Sequence, residues 1–342
     1  MALTIPSSTK RVHLAKRPKD FIDGQTFALE TIPLRTPGPG EVVVRVDYVA
    51  LDAAMRGWIR DMRSYVPPVK IGETMRAYAL GTVLTDAKTV KKGDRVIGMF
   101  GWAEFVTVGE SSLRKITPPP YTDALDFLNL LGLTGLTAYF GLLRVGNIKP
   151  GETLVVSGAA GATGSTVCQF GKLLGAKVIG IAGAADKCKW LVDDLGIDKA
   201  YNYKDKGWKD AFKKEVRTLD VFFDNVGGDT LDFFLTRLNQ NARVVLCGAI
   251  SGYNSQSFSG LRNYMALITQ RAKIEGFLTM DYADQYSEAE AAIARWIREG
   301  KLKRKFHIET GLAECPQHLA LLFQGGNTGK LVVRISQEQA RL

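Results

Sequence analysis

Histidine is scarce in this 342-residue chain, with only His13, His307 and His318. A catalytic zinc needs three protein ligands of Cys, His or carboxylate type, so the shortage already counts against a zinc enzyme. The four cysteines, Cys168, Cys188, Cys247 and Cys315, lie far apart and never in CxxC spacing. That excludes a four-cysteine zinc lobe and a paired redox motif, and it suits reduced thiols in a reducing compartment. No apolar run approaches the roughly 18 residues of a membrane span, so no membrane partner is expected. An RNP-like aromatic strand, a Cys/His finger and a basic helix with interleaved aromatics are all missing, and nucleic acid is not an expected partner. Carboxylates are absent before Asp20, and the Ser- and Lys-bearing start has the composition of a transit peptide. Residues 11–15 nevertheless read as a strand, and the cytoplasm is the expected location.

What is present is ordinary in bulk and specific in detail. Hydrophobic residues make up 46% and charged residues 23%, values of a globular protein long enough for two cores. The formal net charge of +10 is spread along the chain, which suits a solvated surface and also raises local affinity for a phosphate-bearing ligand. The first 120 residues alternate short strand-like runs at 41–46, 92–97 and 103–108 with Gly/Pro turns. After Pro118 the rhythm changes: 124–144 is helical in pattern, and strands then alternate with helices. Strands are expected at 154–157, 177–181, 199–202, 220–224, 243–247 and 273–276, and helices at 164–175, 186–195, 208–217 and 229–239. This is the pattern of an α/β doubly wound parallel sheet. Residues 329–335 form a closing strand, so the tail is expected to return to the β-rich start. Residues 1–125 with 306–342 then make one domain, and 126–305 the other.

The most informative stretch joins the apolar run at 153–157 to the helix after it. Its turn reads Ala159-x-Gly161-x-x-Gly164, a dinucleotide fingerprint with alanine first. Small residues let the backbone approach a pyrophosphate, and the helix start directs amides and positive dipole at it. Gly161, Ala162, Thr163 and Gly164 are therefore expected to hold a pyrophosphate. A carboxylate that binds a ribose 2′-hydroxyl normally ends the second strand, about 20 residues on. Here that strand ends in Ala182-Gly-Ala-Ala185, and Lys187 follows. A missing acid with a nearby base suits a 2′-phosphate, hence NADPH over NADH. Asp186 reads as the N-cap of the next helix.

Several segments narrow this further: GLTAYFG (135–141), FDNVGG (223–228), CGAISGY (247–253), IEGF (274–277) and NTGK (327–330). Together with the turn, they resemble the zinc-independent double-bond reductases of the medium-chain dehydrogenase/reductase superfamily. That group includes the prostaglandin reductase/leukotriene B4 12-hydroxydehydrogenase, alkenal reductase and curcumin reductase-like enzymes. MRGW (55–58), SYVPP (64–68) and RNYMAL (262–267) look most like the microbial curcumin reductase branch. The resemblance spans nearly the whole chain. It implies a GroES-like β-rich domain beside a Rossmann domain, a homodimer, and NADPH as cofactor. It also implies cofactor contacts from Lys187 and Tyr203 at the 2′-phosphate, Asn225 after the fourth strand, and Cys247, Ala249, Ile250, Ser251 and Tyr253 near the nicotinamide ribose. Phe277, Leu278 and Thr279 fall at a substrate-side strand end, and Asn327 at an amide contact. The zinc-dependent cousins carry a Cys near Asp52 and a Gly-His-Glu near 72–81; this chain has neither.

Hydride addition to the β-carbon of an enal or enone moves charge onto the carbonyl oxygen, and hydrogen-bond donors alone can stabilise that enolate. The resemblance implies a ribose hydroxyl and a tyrosine as the donors. The tyrosine that family members place eight residues before the phenylalanine of Glu-Gly-Phe falls here on Thr269. Tyr264, five residues earlier, stands about 7.5 Å away along a helix, and can be read either as a donor or as a core residue. Tyr65, in the family's Tyr-x-x-Pro segment, is the stronger candidate, with a packed loop aromatic as its other reading. Aromatics at 58, 65, 253, 264 and 282 suit an apolar, elongated enal or enone. An NADPH quinone oxidoreductase and a non-catalytic NADPH-binding protein remain as alternative readings.

Overall fold

A computed structural model of the chain describes residues 5–255 and 260–336. They divide into two compact units, 1–128 with 306–342, and 129–305. No helix among the described residues is long and apolar enough to cross a membrane.

The first unit is built from strands rich in β-branched residues. β1 (Ser8–Leu14) pairs antiparallel with β2 (Phe27–Pro33). β3 (Glu41–Ala50) carries the run EVVVRVDYVA, almost wholly buried, and leads to a one-turn helix α1 (Met55–Trp58). β4 (Ala79–Val83), β5 (Arg95–Gly98), β6 (Phe105–Gly109) and β7 (Leu113–Lys115) complete its N-terminal part. β3 lies between β4 and β6, both antiparallel, because a strand buried on both faces needs cover on each edge. Its core gathers Val44, Val46, Met55, Trp102 and, from the far end of the chain, Leu331 and Val333.

The second unit opens with α2 (Leu133–Phe140), then alternates strand and helix. β8 (Thr153–Ser157), α3 (Ala162–Leu173), β9 (Lys177–Ala182), α4 (Ala185–Asp193), β10 (Lys199–Asn202), α5 (Trp208–Glu215), β11 (Leu219–Asp224), α6 (Gly228–Leu235) and β12 (Leu238–Leu246) follow in turn. After α7 (Met265–Thr269), β13 (Lys273–Gly276) closes the sheet and α8 (Tyr286–Arg298) ends the unit. All five strand pairings are parallel, in the order β10-β9-β8-β11-β12-β13. The order in which strands are added reverses between β8 and β11, which opens a crevice at the carboxyl ends of those strands. Phe222 and Phe234 pack at 4.6 Å between ring centroids, and Phe212 meets Phe234 at 5.1 Å, so aromatics fasten helices α5 and α6 to the sheet. The chain then returns to the first unit through β14 (Phe306–Thr310), α9 (Cys315–Gln324) and β15 (Lys330–Arg334); β15 pairs with β3.

Three local expectations are corrected. The helical pattern at 124–144 is broken: Ala124–Leu128 is a 3-10 turn, and α2 begins only at Leu133. The Asn129 carbonyl accepts from the amides of Gly132 and Gly135 (3.2 and 3.0 Å), which bends the chain, and a Cβ at Gly135 would run into the Leu130 backbone. The helix expected over 229–239 stops at Leu235, and β12 begins at Leu238, five residues early. Pairing with β11 there is interrupted, and Asn241 takes φ +62° within the excursion. Asp186 is not an N-cap, because Ala184 holds that place and Asp186 lies in the first turn of α4. A carboxylate there still faces the positive end of the helix.

Candidate functional site

The crevice end of the second unit is built around one buried carboxylate. Asp224, the last residue of β11, is fully buried. Its side chain accepts from Ser157 Oγ at 2.6 Å, the Val226 amide at 3.1 Å and the Gly227 amide at 3.0 Å. Burial pushes the Asp224 carboxyl up from its usual range, and the Ser157 and backbone donors pull it back down. Ser157 Oγ in turn accepts from the Asn225 amide (2.8 Å), and Asn225 Nδ2 donates to the Ser157 carbonyl (2.7 Å). The ends of β8 and β11 are thereby locked at a fixed spacing.

The 247–253 loop hangs from the same point. The amides of Cys247 and Gly248 donate to the Asp224 carbonyl (2.9 and 3.1 Å). Ile250 donates to Asn225 O at 3.3 Å, and the Ser251 amide and hydroxyl both reach Val226 O (3.1 and 2.6 Å). The Ala249 amide donates to the Tyr253 hydroxyl at 3.2 Å. Gly227 and Gly228 take φ +72° and +56°, and a Cβ on Gly228 would lie 2.9 Å from Ser251 Oγ, so glycine is required where the loops touch. Burial and the nearby Asp224 push the Cys247 thiol up to about 12, so it is a packed thiol and no nucleophile at neutral pH.

Across the crevice, α3 starts two residues earlier than its pattern implied: Gly161 is its N-cap and Ala162, Thr163 and Gly164 form its first turn. A Cβ on Gly164 would press within 2.8 Å of Ala159 Cα and 2.9 Å of the Gly158 carbonyl carbon. The close approach of turn and helix therefore depends on glycine, and first-turn amides have no acceptor within their own helix. Beyond β13, Phe277 packs over Gly141, where a Cβ would fall 2.5 Å from its ring, and Thr279 shares a 2.6 Å hydrogen bond with Thr137. Leu278 lies between them at the strand end.

At the end of β9 the ring of Tyr203 lies over Gly183, 2.9 Å from where a Cβ would stand. The Tyr203 amide donates to Ala182 O at 2.9 Å, and the Lys204 ammonium sits 6.0 Å from the Tyr203 ring centroid. Lys187, in the first turn of α4, is half-buried, and desolvation holds its amine below the usual lysine range. These positions fit a nucleotide: small residues at α3 and a cationic, aromatic-lined end to β9 in place of a carboxylate. Tyr264 falls elsewhere, next to α7 and 55% exposed, so its core reading is corrected.

Two expected site residues belong to the first unit. Tyr65 is exposed, and its phenol oxygen accepts from Trp58 Nε1 at 2.8 Å. Asn327 stands in the turn before β15, with Nδ2 on Gly329 O at 3.0 Å. Beside it, the buried ammonium of Lys330 pairs with Asp52. Sequence reading passed over Ser157, Asp224, Lys204 and the Trp58 indole as a donor. Asp224 was legible only as part of a motif, because its partners are remote in sequence. Among the described residues no group of three or more His, Cys, Asp or Glu side chains is placed to hold a metal ion.

Sheet order, switch-point crevice and glycine turn define a dinucleotide-binding Rossmann unit of the oxidoreductase type. Residues 10–116 match the family model "N-terminal domain of oxidoreductase", and residues 162–295 match "Zinc-binding dehydrogenase". The NADPH-dependent curcumin reductase of Escherichia coli is 35% identical, over 96% of this chain and 97% of that protein. The 2-alkenal reductase (NADP(+)-dependent) of Nicotiana tabacum is 37% identical, over 90% of this chain and 91% of its own. The structure of CurA from Vibrio vulnificus in complex with NADPH superposes with a TM-score of 0.90 at 35% identity, covering 96% of this chain and 99% of that one. The chain belongs to the medium-chain dehydrogenase/reductase family.

Removal of the Ser157 hydroxyl tests the buried network. Ser157→Ala takes a donor from Asp224 and an acceptor from the Asn225 amide, at a cost of about 1–3 kcal/mol near neutral pH. The sign of the pH dependence follows from linkage. A carboxyl with a raised folded pKa contributes stability below its ordinary value, and that contribution is lost as pH rises through the folded value. Because Ser157 favours the ionised form, the cost of its removal grows as pH rises through that window. Urea unfolding at pH 4 and pH 7 measures it; an equal cost at both values would place the proton on Asp224 throughout.

Proposed function

We propose that this protein is an NADPH-dependent reductase of the carbon–carbon double bond of apolar α,β-unsaturated aldehydes and ketones. The observation that carries the cofactor half is the end of β9, where Lys187 and Tyr203 stand in place of a carboxylate. The substrate half is supported by the names of the curcumin and 2-alkenal reductases, both acting on conjugated carbonyl systems by those names. The first turn of α3 would hold the pyrophosphate, and Asn225 and the 247–253 loop the nicotinamide ribose. Phe277, Leu278 and Thr279 would border the substrate side, and Asn327 would contact the carboxamide. Bound NADPH would supply the hydride.

The protein's own part is to hold the oxyanion and exclude alternatives. Trp58 Nε1 donates to the Tyr65 oxygen, so one lone pair is engaged and the phenol O–H is directed away from the indole. A hydroxyl that accepts one hydrogen bond donates a stronger one, which suits Tyr65 to a developing enolate oxygen. The α-carbon can then take its proton from water. Tyr264, exposed beside α7, is the weaker of the two tyrosines for this role.

A homodimer and a cytoplasmic location complete the reading. Among the described residues no strand pairs with the outer edge of β13 in the six-stranded sheet, and Tyr264, Met265, Ile268 and Met280 are exposed near it in sequence. An open strand edge beside apolar residues suits a second copy of the chain. Sedimentation should give twice the chain mass, and Ile268→Asp should shift it toward the monomer; a monomeric wild type would remove this part.

Product identification with a mid-chain 2-alkenal tests the chemistry. The expected product is the saturated aldehyde, formed faster with NADPH than with NADH. An allylic alcohol would mean carbonyl reduction, and faster turnover of quinones than of alkenals would favour the quinone reductase reading. Tyr65→Phe should lower kcat on the order of a hundredfold with little change in the KM for NADPH. Trp58→Phe should give a smaller loss in the same direction.

A further inference from the structure

The geometry points to Arg76 as a positioning residue for the Tyr65 phenol, clamping the loop that carries it to the indole that orients it. The inference rests on the reading of Tyr65 as donor to the enolate oxygen, and it adds a residue that the sequence motifs leave unassigned. Residues 61–68 make no backbone–backbone hydrogen bond among the described residues. A segment of that kind keeps one conformation only where side chains hold it. Its far end is secured, because the Val69 amide donates to the Trp58 carbonyl at 2.8 Å and Val69 is fully buried.

Arg76 supplies the hold in between. Its main chain is fixed on both sides: Met75 and Ala77 are fully buried, and the Met75 amide donates to Val12 O at 2.9 Å. The carbonyls of Met75 and Ala77 accept from the amides of Trp102 (2.9 Å) and Gly101 (3.1 Å). From this base the partly exposed side chain reaches two groups at once. The guanidinium carbon lies over the Trp58 ring, 5.9 Å from its centroid, and Nη1 donates to the Pro67 carbonyl at 3.1 Å. Trp58 also packs on the core of the first unit, so the indole has that core as one neighbour and a cation as another.

The contacts close a ring. Arg76 meets Trp58, Trp58 Nε1 donates to the Tyr65 oxygen at 2.8 Å, and Pro67, two residues further on, returns to Arg76. One hydrogen bond would let the phenol pivot about it. A second hold at Pro67, where proline fixes φ, removes that freedom. Charge acts in the same direction. No carboxylate among the described residues pairs with Arg76, so the indole face and the Pro67 carbonyl are what its cation meets. A cation on an indole face is drawn to the ring electrons and polarises the N–H, which strengthens the bond to Tyr65 and the one Tyr65 donates in turn. A planar guanidinium can stack and donate in its own plane together, as an ammonium cannot.

A double-mutant cycle on the turnover of a mid-chain 2-alkenal with NADPH tests the role. Arg76→Ala should lower kcat about tenfold through misplacement of the donor, with the KM for NADPH changed by less than about twofold. Arg76→Lys should fall between Arg76→Ala and the wild type, and Arg63→Ala, which removes an exposed cation of the same loop, should leave kcat unchanged. In a Tyr65→Phe background, where no phenol is left to position, Arg76→Ala should cost less than about a further twofold. The same cycle with Arg76→Gln, which removes the charge but keeps a donor, guards against a variant that does not fold. A full tenfold loss in the Tyr65→Phe background, or wild-type kcat in Arg76→Ala, would overturn the role of Arg76 and leave Tyr65 standing. If Tyr65→Phe itself keeps the wild-type kcat, the reading of Tyr65 fails and the proposal fails with it.

Discussion

The hydrogen-bonded carboxylate of Asp224 is the constraint on which the crevice depends. A parallel sheet leaves the carboxyl ends of its strands with loops that would otherwise settle independently. Here the side chain of Asp224 draws in the Ser157 hydroxyl from β8 and the amides of Val226 and Gly227, while its carbonyl takes the amides of Cys247 and Gly248. Three separate loops thus share one anchor. Because a buried acceptor without donors is costly, each donor is held in place by the penalty for leaving. The crevice is rigid where a flat cofactor would need it to be rigid.

Around that anchor, shape is set by the absence of side chains. Gly164 lets α3 approach the turn, Gly228 lets the 225–228 turn meet Ser251, Gly141 seats Phe277, and Gly183 seats Tyr203. Each marks a place where two elements come closer than a Cβ permits. The four positions fall in the first turn of α3, at the start of α6, at the end of α2 and just past β9. At the end of β9 the Lys204 ammonium lies over the Tyr203 ring, and its charge reaches Lys187 in α4.

The first unit contributes a different economy of donors. Its sheet is closed by a strand from the far end of the chain, β15 against β3, and the buried Lys330 ammonium pairs with Asp52 just past β3. Asp52 precedes α1, whose Met55 amide donates to its carbonyl at 3.0 Å, and α1 carries the Trp58 that donates to Tyr65. An ion pair near the end of the chain thus bears on the turn that presents a phenol. Neither the pairing nor its consequence is visible from the NTGK or MRGW segments alone.

Alternation of apolar runs, the placement of small residues at 159–164 and the missing acid after β9 were enough to read six parallel strands and a dinucleotide turn, because these signals are local and each follows from the backbone within a few residues. The same locality misled at 124–144 and at 229–239. There the helical pattern continued through segments that the Asn129 turn and the start of β12 interrupt. What only the tertiary structure decided is which polar groups face one another. Ser157 reaches Asp224 across 67 residues of sequence, and Lys204, just past β10, bears on Lys187 in α4. Hydrogen bonds and charges act over a few ångströms of space with no regard for separation along the chain, so their partners appear only once the sheet has brought the strand ends together.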